Sequence, residues 1–135
     1  MEDKQIEVLL VDDEAIVGNR LKPGLTKFGC NVEVLQDSKE ALKRIDAKAF
    51  DIIVTDIMMA DVNGIQLLEY AQKKSTRTKV IIITGYATES LAREAMAKGA
   101  FDMISKPFRP SDLREVIVKA AAALGFKDKG DAGSS

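Results

Sequence analysis

The sequence predicts an α/β domain built on a parallel five-stranded sheet, and three observations carry that reading. Short apolar runs alternate with segments of helical period, which is the pattern of βα units. The central runs are continuous Val, Ile and Leu rather than alternating, as strands covered on both faces require. Gly29, Gly99 and Gly125 punctuate the ends of the helical segments.

Taken in order, strands are expected near 7–11, 32–35, 52–55, 80–84 and 103–105, and helices near 14–28, 38–47, 64–74, 89–98 and 111–124. In the first helix Ile16, Val17, Leu21, Leu25 and Phe28 mark an apolar face that Pro23-Gly24 interrupts. A mid-helix proline removes an amide donor, so a bend near Asn19-Arg20 or a restarted helix is expected. Asp37-Ser38-Lys39-Glu40 has the Asp-x-x-Glu order of a helix start. The last helix carries Val116, Ile117, Ala120, Ala121 and Leu124 at helical spacing, a stripe expected to be mostly core, its edge open to a partner. One domain over 1–125 and a polar, Gly/Ser-rich tail or linker start over 126–135 complete the organisation.

Composition excludes several function classes. With 20 basic against 21 acidic residues, the net charge of −1 leaves no footprint for direct nucleic-acid or anionic-membrane binding. No apolar stretch approaches the ~20 residues that cross a bilayer, and Met1-Glu2-Asp3-Lys4 lacks the basic-then-apolar order of a signal peptide, so a cytoplasmic protein is expected. The single cysteine, Cys30, forms no internal disulfide and reads as structural. The chain has no histidine, which removes Ser-His-Asp and Cys-His catalysis and any role as a phosphohistidine donor.

The chemistry gathers at strand ends. Asp12 and Asp13 follow the first run, Asp56 the third, Thr84 ends the fourth and Lys106 follows the fifth. In an open parallel sheet all these termini share one edge, where ligands bind. Acids with one hydroxyl and one cation suit a hard divalent ion such as Mg²⁺ together with a phosphoryl group. Taken singly, Asp56 is a strand-end aspartate, the Asp12-Asp13 pair a helix cap, Thr84 a β-branched strand residue and Lys106 a solvated loop residue.

Val11-Asp12-Asp13-Glu14, Asp56 with Met58-Met59 and Asn63-Gly64, Thr84-Gly85, and Gly99-Ala100 leading to Lys106-Pro107-Phe108 together resemble the receiver domain of two-component response regulators, across about residues 5 to 125. The stretch from Thr84 to Asp102 is similar to receivers of enhancer-binding, NtrC-like activators. The resemblance implies a flavodoxin-like (CheY-like) (βα)5 domain with strand order 2-1-3-4-5. It also implies Asp56 as phosphoacceptor and Lys106 and Thr84 as groups that meet the phosphoryl oxygens. Asp13, Asp56 and the Met58 backbone carbonyl would ligate Mg²⁺, or Mn²⁺ in its place, with Asp12 acting mainly through water. Lys106-Pro107 is expected cis. The implied partners are a sensor histidine kinase or phosphotransfer protein and a downstream target or attached output domain, with a homodimer through the fourth helix, fifth strand and fifth helix.

Two positions depart from the family pattern: Met103 replaces an aromatic three residues before the lysine, and Ala60 replaces a proline four after the phosphoacceptor. Switching is therefore expected to run through Thr84 and the loop to Ala87, with Tyr86 as a nearby aromatic and Met103 repacking passively. Other readings are a flavodoxin-like or phosphohydrolase enzyme and a pseudo-receiver that binds partners without phosphorylation. The acids after the first strand disfavour flavin phosphate, which wants amide donors there. The full set of five site residues disfavours the pseudo-receiver.

Overall fold

The computed structural model describes residues 5–57, 62–86 and 88–126. Five strands and five helices alternate: β1 (Ile6–Val11), α1 (Ala15–Phe28), β2 (Cys30–Leu35), α2 (Ser38–Ala47), β3 (Ile52–Asp56), α3 (Gly64–Lys74), β4 (Lys79–Thr84), α4 (Glu89–Ala97), β5 (Asp102–Ser105) and α5 (Pro110–Ala123). All pairings are parallel and the strand order is β2-β1-β3-β4-β5. The chain reverses its winding between β1 and β3, which opens a crevice at their carboxyl ends.

Alternate residues of each strand feed two cores. Val8, Leu10, Ile52, Val54, Ile81 and Ile83 pack under α1 and α5, while Leu9, Val11, Ile53, Val80 and Ile82 pack under α2, α3 and α4. Such fully buried Val, Leu and Ile side chains are each worth roughly 1.5–3 kcal/mol against exposure. Burial on both faces is what made the strands read as unbroken apolar runs.

Helix ends follow local chemistry. Asp37 accepts the Lys39 amide at the start of α2, while the Glu40 carboxylate lies 3.4 Å from Lys43 Nζ. Asn63 and Gln66 close a reciprocal capping box at the start of α3, a pattern the sequence reading passed over. Gly29 ends α1 at φ 108°, a left-handed backbone that glycine adopts without penalty.

One expectation for α1 is corrected, and of the two alternatives at Pro23 the restart is excluded. The helix runs unbroken through Pro23. Asn19, whose carbonyl loses its partner there, is exposed together with Pro23, so water can take the place of the missing amide. Ile16 is not on the buried face but 72% exposed. Five residues before Leu21, it lies roughly 140° around the helix from that core residue.

Candidate functional site

Each site residue is placed by a sheet hydrogen bond or an adjacent turn. The Asp12 amide donates to the Leu35 carbonyl at 3.1 Å, which carries the β1 backbone one step past its last paired residue. The Asp12 carboxylate then accepts the Glu14 amide at 2.9 Å, so it shapes the turn before α1. Asp56 is the last residue of β3, paired with Ile83, and 5% exposed. Gly64 packs so tightly beneath it that a Cβ there would come within 2.5 Å of the Asp56 carbonyl oxygen. Only glycine lets α3 begin this close.

Thr84 ends β4 fully buried, and its hydroxyl oxygen accepts the Tyr86 amide at 3.0 Å. The Lys106 amide donates to the Thr84 carbonyl at 2.8 Å, and the Lys106-Pro107 bond is cis. The Lys106 ammonium then reaches back across the sheet edge. It lies 2.7 Å from Asp56 Oδ2, 3.1 Å from Asp12 Oδ2 and 3.2 Å from Glu14 Oε1.

Carboxylate oxygens of Asp12, Asp13, Glu14 and Asp56 all lie within 4.8 Å of one another. Four such groups against one ammonium leave the cluster strongly negative. Burial raises the Asp12 carboxyl above its ordinary 3.8, although hydrogen bonds from the Glu14 amide and Lys106 pull the other way. For Lys106 burial works downward, but the hydrogen bonds to Asp56 and Asp12 outweigh it and the ammonium is raised above 10.5. An all-oxygen, anionic donor set fits a hard divalent cation.

The structure thus brings Asp12, Asp13, Asp56 and Lys106 together and sets Thr84 on the neighbouring strand end. Tyr86 follows Thr84 with its side chain 68% exposed. Met103 is half-buried against the core under α2, α3 and α4. Met58 and Ala60 lie outside the described residues, as do Ala87 and the tail from 127. The sequence places Glu14 in the acidic run after the first strand and at the start of a helix; its approach to Lys106 and its place in the carboxylate cluster are what the structure adds. The signal available was its place beside the acid pair, on a side chain long enough to turn back.

The sequence profile of the response regulator receiver domain matches residues 8–118. The chain belongs to that family. Receivers are regulatory signalling modules of two-component systems. The chain is 34% identical over 125 residues to a putative NtrX-like response regulator of Rickettsia conorii, covering 91% of this chain and 26% of that protein. It therefore spans about a quarter of the length of the curated relatives it first matches. Among solved structures, a CheY-like receiver domain protein from Methanospirillum hungatei JF-1 superposes with a TM-score of 0.85 at 31% identity, covering 90% of this chain and 97% of that one. The beryllofluoride-activated NtrC4 receiver domain dimer gives 0.84 at 30% identity, covering 90% of this receiver and all of the other chain. Among the receiver's described residues no helix is long and apolar enough to cross a membrane.

Proposed function

We propose that this receiver takes a phosphoryl group on Asp56 from a partner kinase's phosphohistidine. An Asp56 oxygen forms the new bond to phosphorus while the phosphorus–nitrogen bond of the donor breaks and the imidazole leaves with that electron pair. The observation that carries this reading is the Lys106 ammonium 2.7 Å from Asp56 Oδ2, a cation already placed where phosphoryl oxygens would arrive. Asp12, Asp13 and Asp56, with the Met58 carbonyl, would hold Mg²⁺, or Mn²⁺ in its place. Bound there, the ion supplies positive charge that offsets the carboxylates and the phosphoryl group.

Thr84 supplies the readout. Its hydroxyl oxygen accepts the Tyr86 amide while its proton is free to be donated, so a turn toward phosphoryl oxygens draws on the loop ahead of α4. The changed α4-β5-α5 surface would bind the target or output domain, or a second copy. The dimeric state of the beryllofluoride-activated NtrC4 receiver supports the last. Residues 1–125 form the receiver and 126–135 a polar tail or the start of a linker, the second supported by the greater length of the relatives. The protein works in the cytoplasm, and its own chemistry stops at phosphotransfer to itself and slow self-dephosphorylation. Incubation with acetyl phosphate and Mg²⁺ should add one phosphoryl group by intact mass. Full labelling in excess chelator, or unchanged labelling of Asp56→Asn, overturns the proposal.

A further inference from the structure

Beyond Asp12 and Asp56, the Lys106 ammonium also meets Glu14. An ammonium offers three N–H donors and accepts nothing. Here three carboxylates face it: Asp56 at 2.7 Å, Asp12 at 3.1 Å and Glu14 at 3.2 Å. With its donors so committed, a phosphoryl oxygen reaches Lys106 only by displacing one of them.

The three are not equally tied. Asp12 is 1% exposed and its other oxygen holds the Glu14 amide. Asp56 is 5% exposed and closes a central strand. The Glu14 side chain is 61% exposed and needs only a rotation to pass into water. Exposed ion pairs are weakly held, so Glu14 is the partner that yields. While it stays, it adds a negative charge beside the acceptor, and every phosphodonor is itself an anion.

We propose that Glu14 is a positioning residue acting through Lys106. Its carboxylate occupies the third donor in the resting protein, cedes it to the phosphoryl oxygen, and selects against donors of higher negative charge. This rests on Asp56 being the phosphoacceptor.

Two small donors separate charge from shape. Acetyl phosphate is a dianion near pH 7, whereas phosphoramidate, protonated on nitrogen, is net singly negative. With the first, the bond from phosphorus to the acetyl oxygen breaks and acetate leaves. With the second, the phosphorus–nitrogen bond breaks and ammonia leaves. Removing a unit charge about 4 Å away in a watery setting changes the rate ratio between these donors by roughly fivefold.

The test measures initial labelling of the parent, Glu14→Gln and Glu14→Ala by each donor in Mg²⁺. The ratio of acetyl phosphate to phosphoramidate rates should rise about fivefold in both variants at low salt. It should fall back toward parity with the parent in 1 M KCl, where screening shortens to ~3 Å. A purely structural role would slow both donors alike and ignore salt. In metal-free protein with chelator, the Lys106 ammonium protons should exchange with water faster in Glu14→Ala than in the parent, with Glu14→Gln between them, as read by NMR. An unchanged donor ratio with normal Asp56 labelling, or equal proton exchange in all three proteins, overturns the role of Glu14. Absence of label on Asp56 in the parent overturns the phosphoacceptor reading and this inference with it.

Discussion

Lys106 Nζ stands 2.7 Å from Asp56 Oδ2, a contact that joins the ends of β5 and β3 across the whole width of β4. The metal-free protein thereby holds its most buried acids against an internal cation. Removing that cation takes the ammonium counter-charge away from buried Asp12 and Asp56.

Lys106→Met should therefore destabilise the metal-free protein at neutral pH. Breaking a buried pair from one side costs about 3–5 kcal/mol, and with the ammonium one-fifth exposed we expect about 2. Urea unfolding in chelator measures it. Stability equal to the parent's would show that the ammonium does not balance these carboxylates.

A second expectation concerns pH. Burial raises the Asp12 carboxyl, so the folded state binds its proton more tightly than the unfolded chain does. The ionised form then costs stability above the folded pKa, and the cost disappears as pH falls through that value toward 3.8. Asp12→Asn keeps an oxygen for the Glu14 amide but has no charge. In chelator the parent should lose stability relative to this variant as pH rises from 4 to 7. A difference that does not vary with pH over that range contradicts the assignment.

Much of the site was legible before the structure because each polar residue interrupts or follows an apolar run. Strand ends in a parallel sheet leave little freedom in where such residues go. What escaped depended on side-chain reach or helical phase. The Glu14–Lys106 contact joins residues 92 apart through two long side chains, and beyond the place of Glu14 beside the acid pair nothing local signals it. Ile16 was placed on the buried face by apolarity, although its angle from Leu21 puts it in solvent. Pro23 left a bend or a restart open, and the helix does not restart because on an exposed face water tolerates the lost hydrogen bond.

Metal binding should also be visible in thermal unfolding. Carboxylates within 4.8 Å of one another repel beyond what one ammonium offsets, so millimolar Mg²⁺ should raise the melting temperature by binding the folded state. Asp13→Asn should shrink that rise. An unchanged melting temperature in the parent would remove the cation site from the account.

The switch should run through Thr84. Phosphorylated Thr84→Ala should retain label on Asp56 yet lose most of the phosphate-dependent amide shift changes over residues 85–98 in NMR spectra. Met103→Ala, which trims a half-buried side chain against the core, should soften packing and preserve that pattern. Loss of the pattern in Met103→Ala with retention in Thr84→Ala would reverse the assignment.

Phosphorylation is expected at Asp56 and at neither Asp12 nor Asp13 beside it. Borohydride reduces an aspartyl phosphate to homoserine, which marks the acceptor permanently for peptide mass spectrometry. After treatment with acetyl phosphate and Mg²⁺, homoserine should appear at position 56 alone. Homoserine at 12 or 13, or at no position in protein that has gained a phosphoryl group, would contradict the account.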